Sequence, residues 1–107
     1  MSSSHAELRL NLPLAEAVAA CRRAAEAAHW TVRQEPVEQT MVALLIGTER
    51  WSFSFHNAAT LRCEIIQVDA AGCVLRLYVS NMGFGPIQGG YVRRRLDETA
   101  RALAPGA

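Results

Sequence analysis

Lysine is absent from this chain of 107 residues, in which all eleven basic residues are arginines. Ten acidic residues balance them to a formal net charge of +1. A chain this close to neutral has no overall field that would attract nucleic acid or an anionic membrane. We therefore expect neither nucleic acid nor a membrane as a partner.

Long apolar runs and targeting segments are also missing. No run approaches the ~20 apolar residues that a membrane-spanning helix needs. The first stretch, MSSSHAELRL, lacks the basic and apolar regions of a secretory signal. These absences predict a cytoplasmic protein.

Cysteine is scarce, because the chain contains only Cys21, Cys63 and Cys73 and has no CxxC pair. An odd number of widely spaced cysteines favours reduced thiols over a disulfide framework. No group of cysteine and histidine residues has the spacing of zinc ligands. We predict free thiols, no metal site and no cofactor.

The composition that is present is that of an ordinary globular protein, with 50% hydrophobic and 20% charged residues. The length suits one domain with a modest core. We predict a single α+β domain over residues 6–104, with disordered termini at 1–5 and 105–107. Its expected architecture is one curved antiparallel sheet of about five to six strands with two helices on one face.

Hydrophobic periodicity places the predicted elements along the chain. Alternation predicts strands at residues 6–12 and 30–36, and a continuous apolar run predicts a central strand at 40–47. Pro13 suits the first turn of a helix. The inward stripe of that helix is expected to be mostly small: Leu14, Val18, Cys21, Ala25 and Ala28.

Residues 50–57, RWSFSFHN, alternate aromatic and polar side chains. Trp51, Phe53 and Phe55 fall on one face of this pattern. The segment is predicted to be either a strand or an extended excursion over the edge of the core. Its aromatic residues either join the core or line a ligand groove or partner surface.

The runs TLRCEIIQVD and CVLRLYVS predict a β-hairpin. A three-residue loop with Gly72 in the left-handed conformation would pair Val68 with Val74. A two-residue loop would mix apolar and charged side chains on both faces, so we reject it. Ile66 and Tyr78 are then exposed on the otherwise polar face, which favours self-association. The predicted core-facing residues are Leu61, Cys63, Ile65, Leu75, Leu77 and Val79.

The glycine-rich stretch NMGFGPIQGG leads into a second helix, which Pro86 can begin. It lacks the GK[ST] ending of a phosphate-binding P-loop, so we predict no nucleotide binding. Gly89 and Gly90 are expected to let the helix approach the sheet closely. Arg93–Arg95 point about 100° apart from one to the next and are predicted to be solvated or paired with Glu98. The residues predicted to face inward are Val92, Leu96, Thr99 and Leu103.

Three segments carry a resemblance to known proteins: AHWTV after the first helix, WSFSF before a strand pair, and SNMGFGPIQ before the last helix. They resemble segments of small bacterial domains of unknown function with a β-α-β4-α layout. That layout is similar in plan to the TATA-binding-protein-like and helix-grip folds. The resemblance covers residues 6–104 and implies a fold, but no activity.

Candidate catalytic residues do not converge in the predicted fold. His56, Cys63 and Glu64 are close in sequence, but the hairpin directs Cys63 and Glu64 to opposite faces. His29, at the end of the first helix, is expected only to interact favourably with the helix dipole. We therefore predict that the protein is not an enzyme.

The expected function is a small non-catalytic binding or assembly module, a homo-oligomer that associates through its open sheet face or an edge strand. The alternative is binding of a small apolar or anionic ligand between the WSFSF segment and the GFGPIQGG loop. The candidate ligand or partner surface consists of Trp51, Phe53, Phe55, Ile66, Tyr78, Phe84 and Gln88.

Overall fold

The computed structural model of the chain describes residues 1–37, 41–49 and 57–103. The elements are β1 (Ser2–Leu10), α1 (Leu14–Ala27), β2 (Thr31–Glu35), β3 (Ala43–Thr48), β4 (Ala59–Asp69), β5 (Gly72–Asn81) and α2 (Pro86–Leu103). The strands form one antiparallel sheet in the order β1-β5-β4-β3-β2, so the predicted α+β class is confirmed. Within the described ranges, no helix is long and apolar enough to cross a bilayer.

The first strand begins earlier than the sequence pattern indicated. Ser2–His5, expected to precede the ordered domain, belong to β1 and pair with β5 as far as Asn81. A run of serines has no apolar alternation, so periodicity did not detect it. The aromatic alternation at 50–57 lies outside the described residues except for Asn57.

The core occupies one face of the sheet, which we call the core face. The side chains predicted to face inward from β4 and β5 are all at most 2% exposed, which confirms the face assignment. The other face, called the polar face, carries Arg62, Arg76 and Tyr78 on the same strands. The buried side chains that line the core face on these two strands are Leu61, Cys63, Ile65, Leu75, Leu77 and Val79.

The predicted hairpin register is wrong. Asp69 pairs with Gly72 across a two-residue loop, and Cys63 pairs with Leu77. The register shifts between Ile65 and Gln67, so that one residue of β4 is extra at this bulge. Without the bulge, a two-residue loop would pair core-facing residues of β4 with polar-face residues of β5. The extra residue at the bulge cancels this shift. The predicted face of each residue is therefore right, although its predicted pairing partner is wrong.

Gly72 has a positive φ of 147°, as predicted, and the structure gives a second reason for glycine there. A Cβ atom at this position would lie 2.0 Å from the carbonyl oxygen of Leu10, where β1 ends. The Asp69 carboxylate completes the turn by accepting hydrogen bonds from the N–H groups of Ala71 (2.9 Å) and Gly72 (3.1 Å).

Helix α1 packs through small side chains and ends in a left-handed cap. His29 has φ 68°; its N–H donates to the Glu26 carbonyl (3.0 Å), and the Trp30 N–H donates to Ala25 (2.9 Å). These bonds form a Schellman motif, so the role of His29 is to reverse the chain rather than to balance the helix dipole. The buried residues of α1 are Ala17, Ala20, Cys21, Ala24 and Ala25.

All three cysteines are free and buried, as the sequence predicted. Burial raises the pKa of the Cys21 thiol to about 12 and also raises the pKa of Cys63 and of Cys73. Since the thiolate is the reactive form of cysteine, these side chains act as core hydrophobes in the folded protein.

Candidate functional site

The predicted partner surface divides into separate groups in the structure. Ile66 sits half-buried at the β4 bulge, and Tyr78 lies half-buried on the polar face between His5 of β1 and Arg62 of β4. Phe84 is almost fully exposed in the loop between β5 and α2. The remaining aromatic residues of that surface, Trp51, Phe53 and Phe55, lie outside the described residues.

Gln88 holds the glycine-rich loop in place, and its part in a ligand or partner surface stays a prediction. Its Oε1 accepts hydrogen bonds from the N–H of Asn57 and from Nδ2 of Asn81, both at 2.9 Å. A Cβ atom at Gly83 would lie 2.5 Å from the Gln88 side chain, so this glycine makes room for it. Gly85 has φ 92°, which turns the chain into α2.

The prediction that Gly89 and Gly90 allow close packing is wrong. A Cβ atom at either position would find no atom of the described residues within 4 Å. Both glycines therefore leave open space beside the first turns of α2. The absence of nucleotide binding at this loop stays a prediction.

Charges on the polar face alternate in sign across the strands. Arg62 Nε lies 3.0 Å from Glu64, and Arg76 lies 3.8 Å from Glu64 and 3.5 Å from Glu7. The bridge from Arg9 to Asp69 is shorter, at 2.7 Å, and it holds the pKa of the Asp69 carboxyl below its ordinary value. Because Arg76 of β5 pairs with both neighbouring strands and Arg62 pairs with Glu64 along β4, the polar face is a paired ionic surface rather than an apolar one.

The two edges of the sheet differ in length. β1 pairs with β5 over its nine residues, and its other side faces no strand of the described chain. β2 is the opposite edge and has five residues, followed directly by Pro36. One long edge and one short edge are therefore available to a further strand.

The most elaborate polar cluster centres on Arg95, whose side chain is only 7% exposed. Its Nε donates to Glu49 at 2.7 Å, and its NH1 donates to Glu98 at 2.8 Å and to the carbonyl of Ala28 at 2.7 Å. The guanidinium also lies over the Trp30 ring, 4.2 Å from its centroid. The sequence-based prediction that this arginine is solvated is wrong, although its pairing with Glu98 is confirmed.

Glu49 is the second centre of this cluster, which we call the Arg95 cluster. One carboxylate oxygen accepts the N–H of Ala59 at 2.6 Å, and the other accepts the Tyr91 hydroxyl as well as Arg95. Burial, followed by the hydrogen bond and the charge of Glu49, raises the pKa of Tyr91. The cluster thus ties the end of β3 to the start of β4, the end of α1 and the middle of α2.

An open cleft of about 660 Å³ adjoins the cluster. Among the described residues, no buried side-chain nitrogen or oxygen lacks a hydrogen-bond partner. The buried polar atoms of the cluster are therefore satisfied by protein groups, and the cluster stabilises the fold. The cleft is lined by His29, Trp30, Thr31, Glu49, Tyr91, Arg94, Arg95 and Glu98.

Comparison with known proteins assigns no family to this site. No protein-family model matches the chain, and no curated protein matches it. Over residues 1–37, 41–49 and 57–103, no group of three or more His, Cys, Asp or Glu side chains is arranged to hold a metal ion. The geometry of the described residues therefore carries the functional argument.

Proposed function

We propose that the chain is a small non-catalytic assembly module of the cytoplasm, which forms a homodimer when β1 pairs antiparallel with β1 of a second copy. The uninterrupted free edge of β1 carries this proposal. The sheet is taken to be curved, with both helices on its core face. Pairing at β1 would then extend one sheet across both subunits and continue both of its faces.

β1 carries the charges of Glu7 and Arg9 but lacks the interruptions that protect many edge strands. SSSHAELRL contains no proline and no glycine, and its pairing with β5 has no bulge. Nine residues in extended conformation span about 30 Å. Natural edge strands are usually short, bulged, interrupted by proline or marked by charges that repel a second strand. A long, regular edge is suited to strand addition.

The polar face and β2 are weaker candidates for the contact. The charges of the polar face already pair across its strands, so stacking another surface on it would remove Arg76 and Glu7 from water without new partners. β2 is short, and Arg33 and Glu35 pair with each other along it. These contrasts favour the β1 edge.

Charge complementarity selects one register for the β1 pair. If Ala6 lies opposite its own copy, all nine residues pair and both faces stay aligned. On the polar face, His5 then lies opposite Glu7 of the second copy, twice across the two-fold axis. The neighbouring registers that keep the faces aligned put either Glu7 or His5 opposite its own copy, which is a contact of like groups.

The test changes the charge at each of the two facing positions, His5 and Glu7, in separate variants. Glu7→Arg and His5→Glu should each weaken the dimer, because the first removes the carboxylate that faces His5 and the second places two carboxylates opposite each other. An equimolar mixture should recover heterodimer, since the introduced arginine then faces the introduced glutamate while the native His5 faces the native Glu7. Sedimentation equilibrium and native mass spectrometry measure these populations.

The variants also define how the proposal fails. Monomeric wild-type protein at all accessible concentrations would overturn the dimer. Equal dimerisation of the wild type, the single variants and their mixture would overturn the β1 register. Arg101→Glu, a charge change on the exposed side of α2, provides the matched control and should leave the association unchanged.

A further inference from the structure

The four most exposed large apolar side chains of the described residues occur at one end of the molecule. They are Met1 (58% exposed), Met82 (70%), Phe84 (81%) and Ile87 (68%). Ser2 pairs with Asn81, so Met1 lies beside the chain that leads into Met82. We call these four residues the apolar tip. Exposed apolar side chains that lie together mark a surface that contacts a protein, a ligand or a membrane.

Hydrogen bonds hold the backbone beneath the apolar tip. Asn81 Oδ1 accepts the N–H of Gly83 at 3.2 Å, and the Ser2 hydroxyl donates to the Gly83 carbonyl at 2.9 Å. Asn81 Nδ2 also donates to Gln88 at 2.9 Å and to the carbonyl of Asn57 at 3.3 Å. The loop is thereby fixed in a conformation that leaves its apolar side chains in water.

The chain segments that carry the apolar tip contain basic but no acidic residues. Residues 1–6 and 80–96 contain no aspartate or glutamate. Arg94, which lies 3.9 Å from Glu98, and Arg93 are both exposed and follow Ile87 along α2. At 1.5 Å per helical residue they stand about 10 Å above Ile87 along the helix axis.

We propose that the apolar tip inserts into the interfacial region of an anionic lipid bilayer. Apolar side chains that enter the boundary between headgroups and acyl chains reach about 5–10 Å deep, which would bring Arg93 and Arg94 to the level of the lipid phosphates. Anionic headgroups attract basic side chains held at this depth. A deformable apolar phase suits a protruding tip, whereas a protein partner would need a matching cavity.

This inference goes beyond the proposed dimer and does not depend on it. The sequence-based expectation of no membrane partner rested on the net charge of the whole chain and on the lack of a spanning segment. Neither property describes the segments that carry the tip, because residues 1–6 and 80–96 hold basic residues and none of the ten acidic ones. Screening limits each charge to neighbours within about 8–10 Å, so the local charge governs contact with a surface.

Flotation with lipid vesicles tests the proposal. Wild-type protein should float with equimolar phosphatidylglycerol and phosphatidylcholine vesicles, and binding should weaken in pure phosphatidylcholine and at high salt.

Phe84→Ser combined with Ile87→Ser should reduce the partition coefficient by about tenfold or more. Arg93→Gln and Arg94→Gln should each reduce it about fivefold. The matched control is Val68→Ser, an exposed apolar residue near the opposite end of the β4–β5 hairpin, which should bind as the wild type does.

Each contrary outcome overturns the proposal. Wild-type protein that does not float with phosphatidylglycerol vesicles would exclude a membrane role for the apolar tip. Equal binding by the Phe84→Ser/Ile87→Ser variant would exclude insertion of the tip, and equal binding to both vesicle types would exclude anionic recognition. Loss of self-association in that variant, without vesicle binding by the wild type, would assign the tip to a protein contact instead. Circular dichroism melts check that all variants are folded.

Discussion

The two halves of helix α2 reverse the usual placement of residue types. Its first turns expose Ile87 and surround Gly89 and Gly90 with open space. Its middle buries Arg95 among groups that satisfy it. The difference shows that partners, and not residue type alone, decide what this helix buries. Arg95 is buried because three segments supply hydrogen-bond acceptors for its guanidinium group. Ile87 stays in water because no neighbouring element of the described chain covers its side chain.

Removal of Arg95 should produce the largest effect on stability. Arg95→Ala leaves the carboxylate of Glu49, which is 11% exposed, without its cationic partner. Breaking a buried ion pair in this way typically lowers the free energy of unfolding by about 3–5 kcal/mol. Urea denaturation followed by tryptophan fluorescence measures the loss.

Two further variants separate charge from packing at this position. Arg94→Ala removes the neighbouring arginine, which is 66% exposed, and should change stability by no more than about 0.5 kcal/mol. Arg95→Met with Glu49→Gln removes both charges and should recover part of the loss. Equal effects of Arg94→Ala and Arg95→Ala would contradict the buried character of the cluster.

Tyr91→Phe should have the next largest effect. The substitution keeps the ring and removes only the hydroxyl that donates to Glu49. A hydrogen bond to a charged group contributes about 1.5–3 kcal/mol to stability. A double-mutant cycle with Glu49→Gln isolates this bond, and purely additive effects of the two substitutions would show that it contributes nothing.

The face assignment of the sheet was predictable because one period governs it. Alternation in β4 and β5 placed Leu61 and Leu77 in the core, and the structure agrees. The pairing was not predictable, since the bulge between Ile65 and Gln67 compensates for a loop one residue shorter than expected and leaves the alternation unchanged. Burial patterns therefore fix which side a residue faces more firmly than which residue it pairs with.

The Arg95 cluster was missed because its partners come from separate segments. Arg95 contacts Ala28 at the end of α1, Glu49 at the end of β3 and Glu98 in the next turn of α2. Spacing did contain a signal: Arg95 follows Val92 by three residues and precedes Thr99 by four, so it lies on the buried stripe of the helix. A charge on such a stripe predicts a buried partner even when the partner is unknown.

Alanine at Gly89 or Gly90 should stabilise the exposed half of α2. In the part of the chain that the structure describes, no atom lies within 4 Å of a Cβ atom at either site, so alanine gains helix propensity without a clash there. The expected gain is about 0.5–1 kcal/mol for each substitution, measured as a higher melting temperature. Gly85→Ala is the contrasting control, because φ 92° strains any residue with a Cβ and should lower the melting temperature. A lower melting temperature for Gly90→Ala would reveal a contact at this helix face.

Phe84→Ser should have the smallest effect on stability, although it removes the most exposed aromatic side chain of the described residues. Phe84 is 81% exposed, so the folded state loses almost no buried apolar surface when the ring is removed. We expect a change in the free energy of unfolding within about 0.5 kcal/mol. Leu96→Ala, at a buried position of α2, should by contrast cost about 2–5 kcal/mol. If Phe84→Ser destabilised the chain as Leu96→Ala does, the ring would be part of the core, and its exposure would no longer argue for a binding role. A neutral result means that folding does not require an aromatic ring at this position, which leaves contact with another molecule as the property for which the exposed ring is suited.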